Sequence, residues 1–266
     1  MTVWALVQLE IDGLAPHAMA VSLIAARLLP IAVLSPIFGG VSAPMNVKLG
    51  LVLCVALFLH TSAGVGCPAP PLTLLELTRD SISEVVLGLA FGLIASLPFD
   101  SARIGGRFID VFRGSSAEAA LPLAGTKEAA TGDVLYHLLL AMAATGLAMP
   151  MWLTALLRSF GVVPLGRFIH SEALALQLTS LVGTALATGL AIGAPIAALS
   201  LTVDLFIGLA ARAAPSMNVQ DLGAPVRILA GGVVTWLGIG LIAQRLLAHS
   251  EAMTDAMRLV MGLGHG

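Results

Sequence analysis

The sequence predicts an all-α, multi-pass helical membrane protein. Three observations carry that prediction. The 266 residues are 58% hydrophobic and 11% charged, against roughly 25% charged in a soluble globular domain, and the mean hydropathy is +0.99. The apolar residues gather into six long segments, each near the ~20 residues that cross a bilayer as a helix. No alternating strand pattern accompanies them, and a lipid environment admits only helices or closed barrels. The expectation is about six long apolar helices, with one amphipathic helix and a long polar loop between them. A net charge of −2 and the lack of a basic run with interleaved aromatics argue against a nucleic-acid partner.

In chain order, residues 1–16 read as a short amphipathic lead-in ended by Pro16. No Lys or Arg precedes Arg27, and Glu10 and Asp12 stand where an apolar core would be, so this stretch does not read as a signal peptide. The first span is expected over 17–34. A Gly/Pro connector follows, containing Pro36, Phe38 and Pro44. The second span covers 45–60 and begins with Lys48. Cys54 inside it reads as a small buried hydrophobe. Cys67 lies in a Pro/Gly loop, and a disulfide between the two is open but disfavoured.

The third span, 74–97, carries Asp80 and Glu84 near its start, where the positive end of the helix dipole favours carboxylates. Gly88 and Gly92, four apart, offer a small-xxx-small face for close helix packing. The longest polar break follows, over 99–133, with Arg103, Arg107, Arg113 and Lys127. Its first half reads as an amphipathic helix, Ile104, Phe108, Val111 and Phe112 on one face and Arg103, Arg107 and Asp110 on the other. Asp110 is expected to pair with Arg107 or Arg113, and Gly114 to end the helix. Residues 115–132 are small and flexible. They fit either a solvent loop beside an interfacial helix or a segment across a pore or partner surface.

The fourth span is expected over 134–157, with Pro150 inside it. The fifth covers 173–201, with continuation to 211 left open, and holds Gly189, Gly193 and Pro195. The sixth covers 226–247, and 248–266 form a mildly amphipathic tail. The whole chain, 1–266, reads as one domain: N-terminal helices 17–98, helix and loop 99–133, C-terminal helices 134–247, tail 248–266. Lys and Arg divide almost evenly between the two sides of six such spans. That weak bias fits either segment ends that fall elsewhere or segments that do not all sit in lipid.

Ionisable groups inside apolar segments are costly and face protein or water. Here they are Arg27, Glu84, His137 and Asp204, with Arg212 just beyond. Asp204, Gly208 and Arg212 line one stripe, but Asp204 and Arg212 stand about 12 Å apart along the axis. Each therefore needs a partner elsewhere, either in a structural ion pair or in a pathway-lining or inter-subunit contact. His137, beside Tyr136, reads as structural. The chain has no HExxH, GxSxG, Walker A or GxGxxG pattern, so no catalytic residue, metal site or cofactor is expected.

Four blocks resemble a known family, the SctT/FliR membrane proteins of type III export. ARLLPIAVLSPIFGGVSAPMNVKLGL matches through Arg27, Pro36, Phe38, Gly39, Pro44 and Lys48. SEVVLGLAFGLIASLPFDSARIGGRFIDVFRG matches through Glu84, Gly88, Gly92, Gly106, Ile109, Asp110, Arg113 and Gly114. LLRSFGVVPLG resembles a family turn. DLFIGLAARAAPSMNVQDLGAPVRIL matches through Asp204, Arg212, Ala214, Pro215, Asn218, Pro225 and Arg227. Ser216, Phe112 and the Leu121–Pro122 step depart from the family pattern, while Arg113–Gly114 is more similar to the injectisome branch than to the flagellar one.

The resemblance implies a non-enzymatic, multi-pass component of the bacterial inner membrane, part of it projecting to the periplasmic side. It implies assembly with R- and S-type export proteins and other export membrane proteins into a gate for unfolded polypeptides, in contact with membrane lipid. It also implies a plug around Asp110, Arg113, Gly114, Ser115, Ser116, Leu121 and Pro122. Packing or inter-subunit roles fall to Arg27, Phe38, Pro44, Glu84, Gly88, Gly92, Asp204, Arg212, Pro215 and Asn218. A small-solute secondary transporter is the rival reading. It is disfavoured because no internal repeat is visible.

Overall fold

The structure is a computed structural model that describes residues 3–38, 43–66, 73–113, 130–167, 171–213 and 223–262. These residues form helices and short connections, with no strand among them. The helices are α1 (Val3–Leu34), α2 (Met45–Ser62), α3 (Leu74–Arg113), α4 (Ala130–Ala144), α5 (Met149–Val162), α6 (Ser171–Ala213) and α7 (Gly223–Gly262), with a 3-10 turn at Pro36–Phe38. Among the described residues five helices are long and apolar enough to cross a membrane, while α4 and α5 meet the same test only when taken together as one span. The protein is an all-α, multi-pass membrane protein.

Four expected boundaries differ, the second and its counterpart in α7 for the same reason. First, α1 does not end at Pro16 but runs through both Pro16 and Pro30. A proline removes one hydrogen bond from a helix, whereas ending there would leave a whole set of end groups unpaired. Second, 99–113 is no separate helix, because α3 continues through Pro98 to Arg113. Likewise 248–262 is the last part of α7, with Met253, Met257 and Val260 buried. Lastly, the 134–157 span is broken between α4 and α5. Gly146 there adopts φ +93°, a left-handed conformation that glycine enters without steric cost. Pro150 then falls in the first turn of α5, where its missing N–H costs nothing.

The described residues fall into two compact units. The first takes α1, α2, α5, α3 up to Ser96, α6 up to Leu181 and α7 from Met253. Its interior holds Leu23, Ile24, Leu87, Phe91 and Ile94, all at most 2% exposed. The second takes α4, α3 from Leu97, α6 from Val182 and α7 up to Ala252. Its interior holds Phe99, Ile109, Leu135, Leu139 and Leu246.

Within the second unit, the two faces expected for 99–113 are rearranged. Ala102, Ile109 and Asp110 are buried, while Val111 is 70% exposed. The cause lies in Gly105 and Gly106. A Cβ on Gly106 would collide with the backbone of Gly132 in α4, and one on Gly105 would stand 2.9 Å from the carbonyl of Gly189 in α6. The glycine side thus admits two neighbouring backbones and becomes the interior, taking Asp110 with it.

Much apolar surface stays uncovered. Leu229, Trp236 and Leu237 of α7 are 70–75% exposed, as suits helices whose solvent is lipid. Cys54 is also exposed rather than buried. The buried stripe of α2 is Val52, Ala56 and Leu59, and position 54 falls off it.

Candidate functional site

In the first unit the two most deeply buried charges meet. Arg27 of α1 and Glu84 of α3 are both fully buried. The guanidinium donates through Nε to Oε2 at 2.5 Å and through Nη2 to Oε1 at 3.1 Å. It also donates to the carbonyls of Ser159 at 3.2 Å and Val163 at 3.0 Å, at the end of α5. Ser159 lies in the last turn of α5 and Val163 directly follows it, so the guanidinium sits at the negative end of that helix, where a cation is favourable. The Phe160 ring lies 4.6 Å from the guanidinium carbon. Glu84 Oε1 accepts a further bond from the N–H of Gly166 at 2.9 Å. Four of the five guanidinium donors are thus engaged.

Glu84, Gly88 and Gly92 follow one another at intervals of four and share a face of α3. Gly88 lies against the backbone carbonyl of Arg27, and Gly92 lies against the carbonyl of Pro30. The glycines bring α3 close enough to α1 for the short Glu84 side chain to reach Arg27. Glu84 is therefore not a dipole-facing carboxylate as its position suggests; it is half of a buried brace joining α1, α3 and α5. Asp80, one turn earlier, lies against Gly166, which adopts φ +78°.

The second unit carries a second cluster at the end of α3. Asp110 accepts from the backbone N–H of Thr131 at 2.9 Å and from its hydroxyl at 2.5 Å. Thr131 opens α4, so this carboxylate satisfies a first-turn donor and meets the positive end of that helix. Arg113 donates to the Thr131 hydroxyl at 3.5 Å and to the Ile228 carbonyl at 3.2 Å. Its stem lies over Gly231 of α7. The carboxylate expected to sit on a polar face is 5% exposed. Thr131→Val, which keeps the shape and removes the hydroxyl donor, is expected to destabilise the chain by about 1.5–3 kcal/mol, the range for a hydrogen bond to a charged group. Thermal unfolding in detergent measures this, and an unchanged midpoint would contradict the role given to Asp110.

The remaining candidates are spread out. Asp204 is exposed on α6 and pairs with Arg227 of α7 at 3.3 Å, so it has a partner inside its own chain. Arg212 is exposed. Phe38 lines a small gap with Leu28, Ala32 and Val52. Pro44 precedes α2 with φ −58° and ψ 144°. Gly189 and Gly193 lie against α3, at Ser101, Ile104 and Phe108. Gly114, Ser115, Ser116, Leu121, Pro122, Pro215 and Asn218 lie outside the described residues. His137 is satisfied by its own helix, its Nδ1 lying 2.7 Å from the Asp133 carbonyl.

Sequence reasoning missed Thr131, the α5 carbonyls and a buried contact of 3.1 Å between Ser101 and His249. Each joins positions far apart in the chain, and only the Thr beside Gly132 at the start of α4 left a local trace. No group of three or more metal-ligating side chains occurs among the described residues.

Apolar membrane helices packed on glycine stripes, with Arg27 paired to Glu84 and Asp110 held at the start of α4, define a structural multi-pass membrane component. The chain belongs to the bacterial export proteins, family 1, whose sequence model matches residues 18–253. It is similar to the flagellar biosynthetic protein FliR of Caulobacter vibrioides, at 24% identity over 243 residues, covering 91% of this chain and 94% of that one. It is also similar to FliR of Escherichia coli, at 27% over 210 residues, covering 77% and 78%. The Yop proteins translocation protein T of Yersinia pestis is 26% identical over 181 residues, 67% of each chain.

Proposed function

We propose that this protein is a type III export-apparatus component of the bacterial inner membrane. In this reading it joins R- and S-type partners to form a channel for unfolded polypeptides. The observation that carries the proposal is the family match over 18–253, which crosses both compact units and supports a single export domain. The mechanism is conformational, with no chemistry on the substrate. Helices braced at Arg27–Glu84 form the stable part. The segment after Asp110 acts as the plug, with Asp110 and Arg113 at its root and Gly114, Ser115, Ser116, Leu121 and Pro122 within it. Arg212, Pro215 and Asn218 face partner subunits, and part of the assembled helical mass stands on the periplasmic side.

The Arg113–Gly114 step favours an injectisome-type system. A flagellar role is the second reading, supported by the near-complete coverage of the Caulobacter relative.

Co-expression tests the assembly. The chain alone is expected to purify poorly and to become monodisperse with its R- and S-type partners. A stable lone protein that binds a small solute would sink the proposal in favour of a transporter. Deleting residues 116–126 tests the plug. Co-purification is expected to survive the deletion while the membrane becomes leaky to ions. Unchanged conductance in an assembled complex would refute the plug.

A further inference from the structure

In the second unit, α6 and α7 leave a groove of about 350 Å³ between them. Its walls include Ala191 and Pro195 of α6 and Val234, Gly238 and Leu241 of α7, and its one charged lining residue is Arg245. Gly238 faces open space, since a Cβ there would meet nothing within 4 Å. Arg245 is exposed, and its Nη1 donates to the Ala191 carbonyl at 3.4 Å. Among the described residues, no carboxylate forms an ion pair with it.

The position of Arg245 along α7 gives the groove a direction. Arg227 and Arg245 stand about 27 Å apart along the helix axis, close to the ~30 Å hydrocarbon thickness of a bilayer. Nothing between them is charged. They therefore fall at the two levels where long basic side chains reach the headgroups. At one level Asp204 already neutralises Arg227. At the other, Arg245 remains open to an external anion. From Arg245 the groove extends to Val234, about 16 Å away along α7, close to the depth of a single leaflet.

We propose that this groove binds an anionic membrane phospholipid, its phosphate on Arg245 and one acyl chain along Gly238 toward Val234. An anionic head matches the open guanidinium, and an acyl chain matches the apolar wall and its length. A free phosphate satisfies only the first condition. A neutral apolar helix satisfies only the second.

The test uses the full-length protein reconstituted in phosphatidylcholine vesicles containing phosphatidylglycerol, then extracted gently, with retained lipid quantified by mass spectrometry. Phosphatidylglycerol is expected to be enriched about fivefold over its bulk ratio, the factor one basic side chain is worth near an anionic surface. Arg245→Gln is expected to bring the ratio to parity and Arg245→Lys to keep most of the enrichment. Gly238→Phe, which projects into open space, is expected to lower retention of both lipids. Excess inorganic phosphate is expected to displace neither. The proposal is overturned by parity in the unmodified protein, by enrichment that survives Arg245→Gln, or by retention indifferent to Gly238→Phe. Displacement by phosphate would reassign Arg245 to a free anion. A photo-crosslinker at position 238 that labels a protein instead of lipid would reassign the groove to a partner helix.

Discussion

Glu84→Ala is expected to destabilise the protein by about 3–5 kcal/mol, the cost of leaving one partner of a buried ion pair uncompensated. Arg27 would remain buried with a full charge. The Gly166 N–H, which donates to Glu84 at 2.9 Å, would lose its acceptor. Arg27→Ala is expected to cost at least as much, because the Val163 carbonyl just past α5 loses its donor and the Ser159 carbonyl loses one of its two. The measurement is thermal unfolding of the purified protein, with abundance in the membrane as a second readout. The diagnostic variant is the double substitution Arg27→Met with Glu84→Leu. Apolar residues of similar volume can replace a buried pair at little cost, so the double variant is expected to be more stable than either single one. Full recovery is not expected, since the Gly166 N–H and the Val163 carbonyl still lose their partners at about 1–3 kcal/mol each, while the Ser159 carbonyl keeps the Val163 N–H at 2.9 Å. Additive losses from the two single variants would contradict a direct pair.

Gly106→Leu is expected to be comparably damaging, for a different reason. A side chain there would enter the space held by the backbone of Gly132 at the start of α4. Backbone cannot rotate away as a side chain can, so α4 must shift as a body. Overpacking of this kind costs about 1–3 kcal/mol and occasionally more. The same shift would pull Thr131 off Asp110 and break the bonds of 2.9 and 2.5 Å, adding a loss of similar size. Gly208→Ala is the control. It sits in a helix with nothing within 4 Å of its Cβ, and it is expected to be neutral to stabilising, by up to about 1 kcal/mol of helix propensity. Equal effects at positions 106 and 208 would refute the close approach of α3 and α4.

The two variants also separate two functional expectations. A brace at Arg27–Glu84 supports the helical frame, so its loss should reduce assembly and export together. The Asp110–Thr131 contact lies at the root of the proposed plug. Its loss is expected to change ion leakage before it changes assembly.

Much of the architecture is legible in the sequence. Six apolar segments placed the spans, and the α4–α5 pair taken together accounts for the fourth. The stripe of Gly88 and Gly92 announced a close helix contact, and α1 provides it. Arg27 and Glu84 stood out as charges that lipid would not tolerate. What remained hidden was that they answer each other. They lie 57 residues apart, and no local pattern encodes a contact at that range. The polar break over 99–133 misled in two ways. Its first half is the continuation of α3, because a proline that costs one hydrogen bond does not outweigh the end groups a break would expose. Its charged face is partly interior, because Gly105 and Gly106 let two other backbones in.

The sequence by itself therefore determined the solvent of this protein and the placement of its long apolar segments. Hydrophobicity, length and small-residue spacing are properties of single segments, and each segment must satisfy its own backbone in lipid. Only the tertiary structure decided which buried charges pair, where the long helices pass through their prolines, and which side of α3 faces inward. Those outcomes depend on how closely two backbones approach, and that distance is set jointly by residues on different helices.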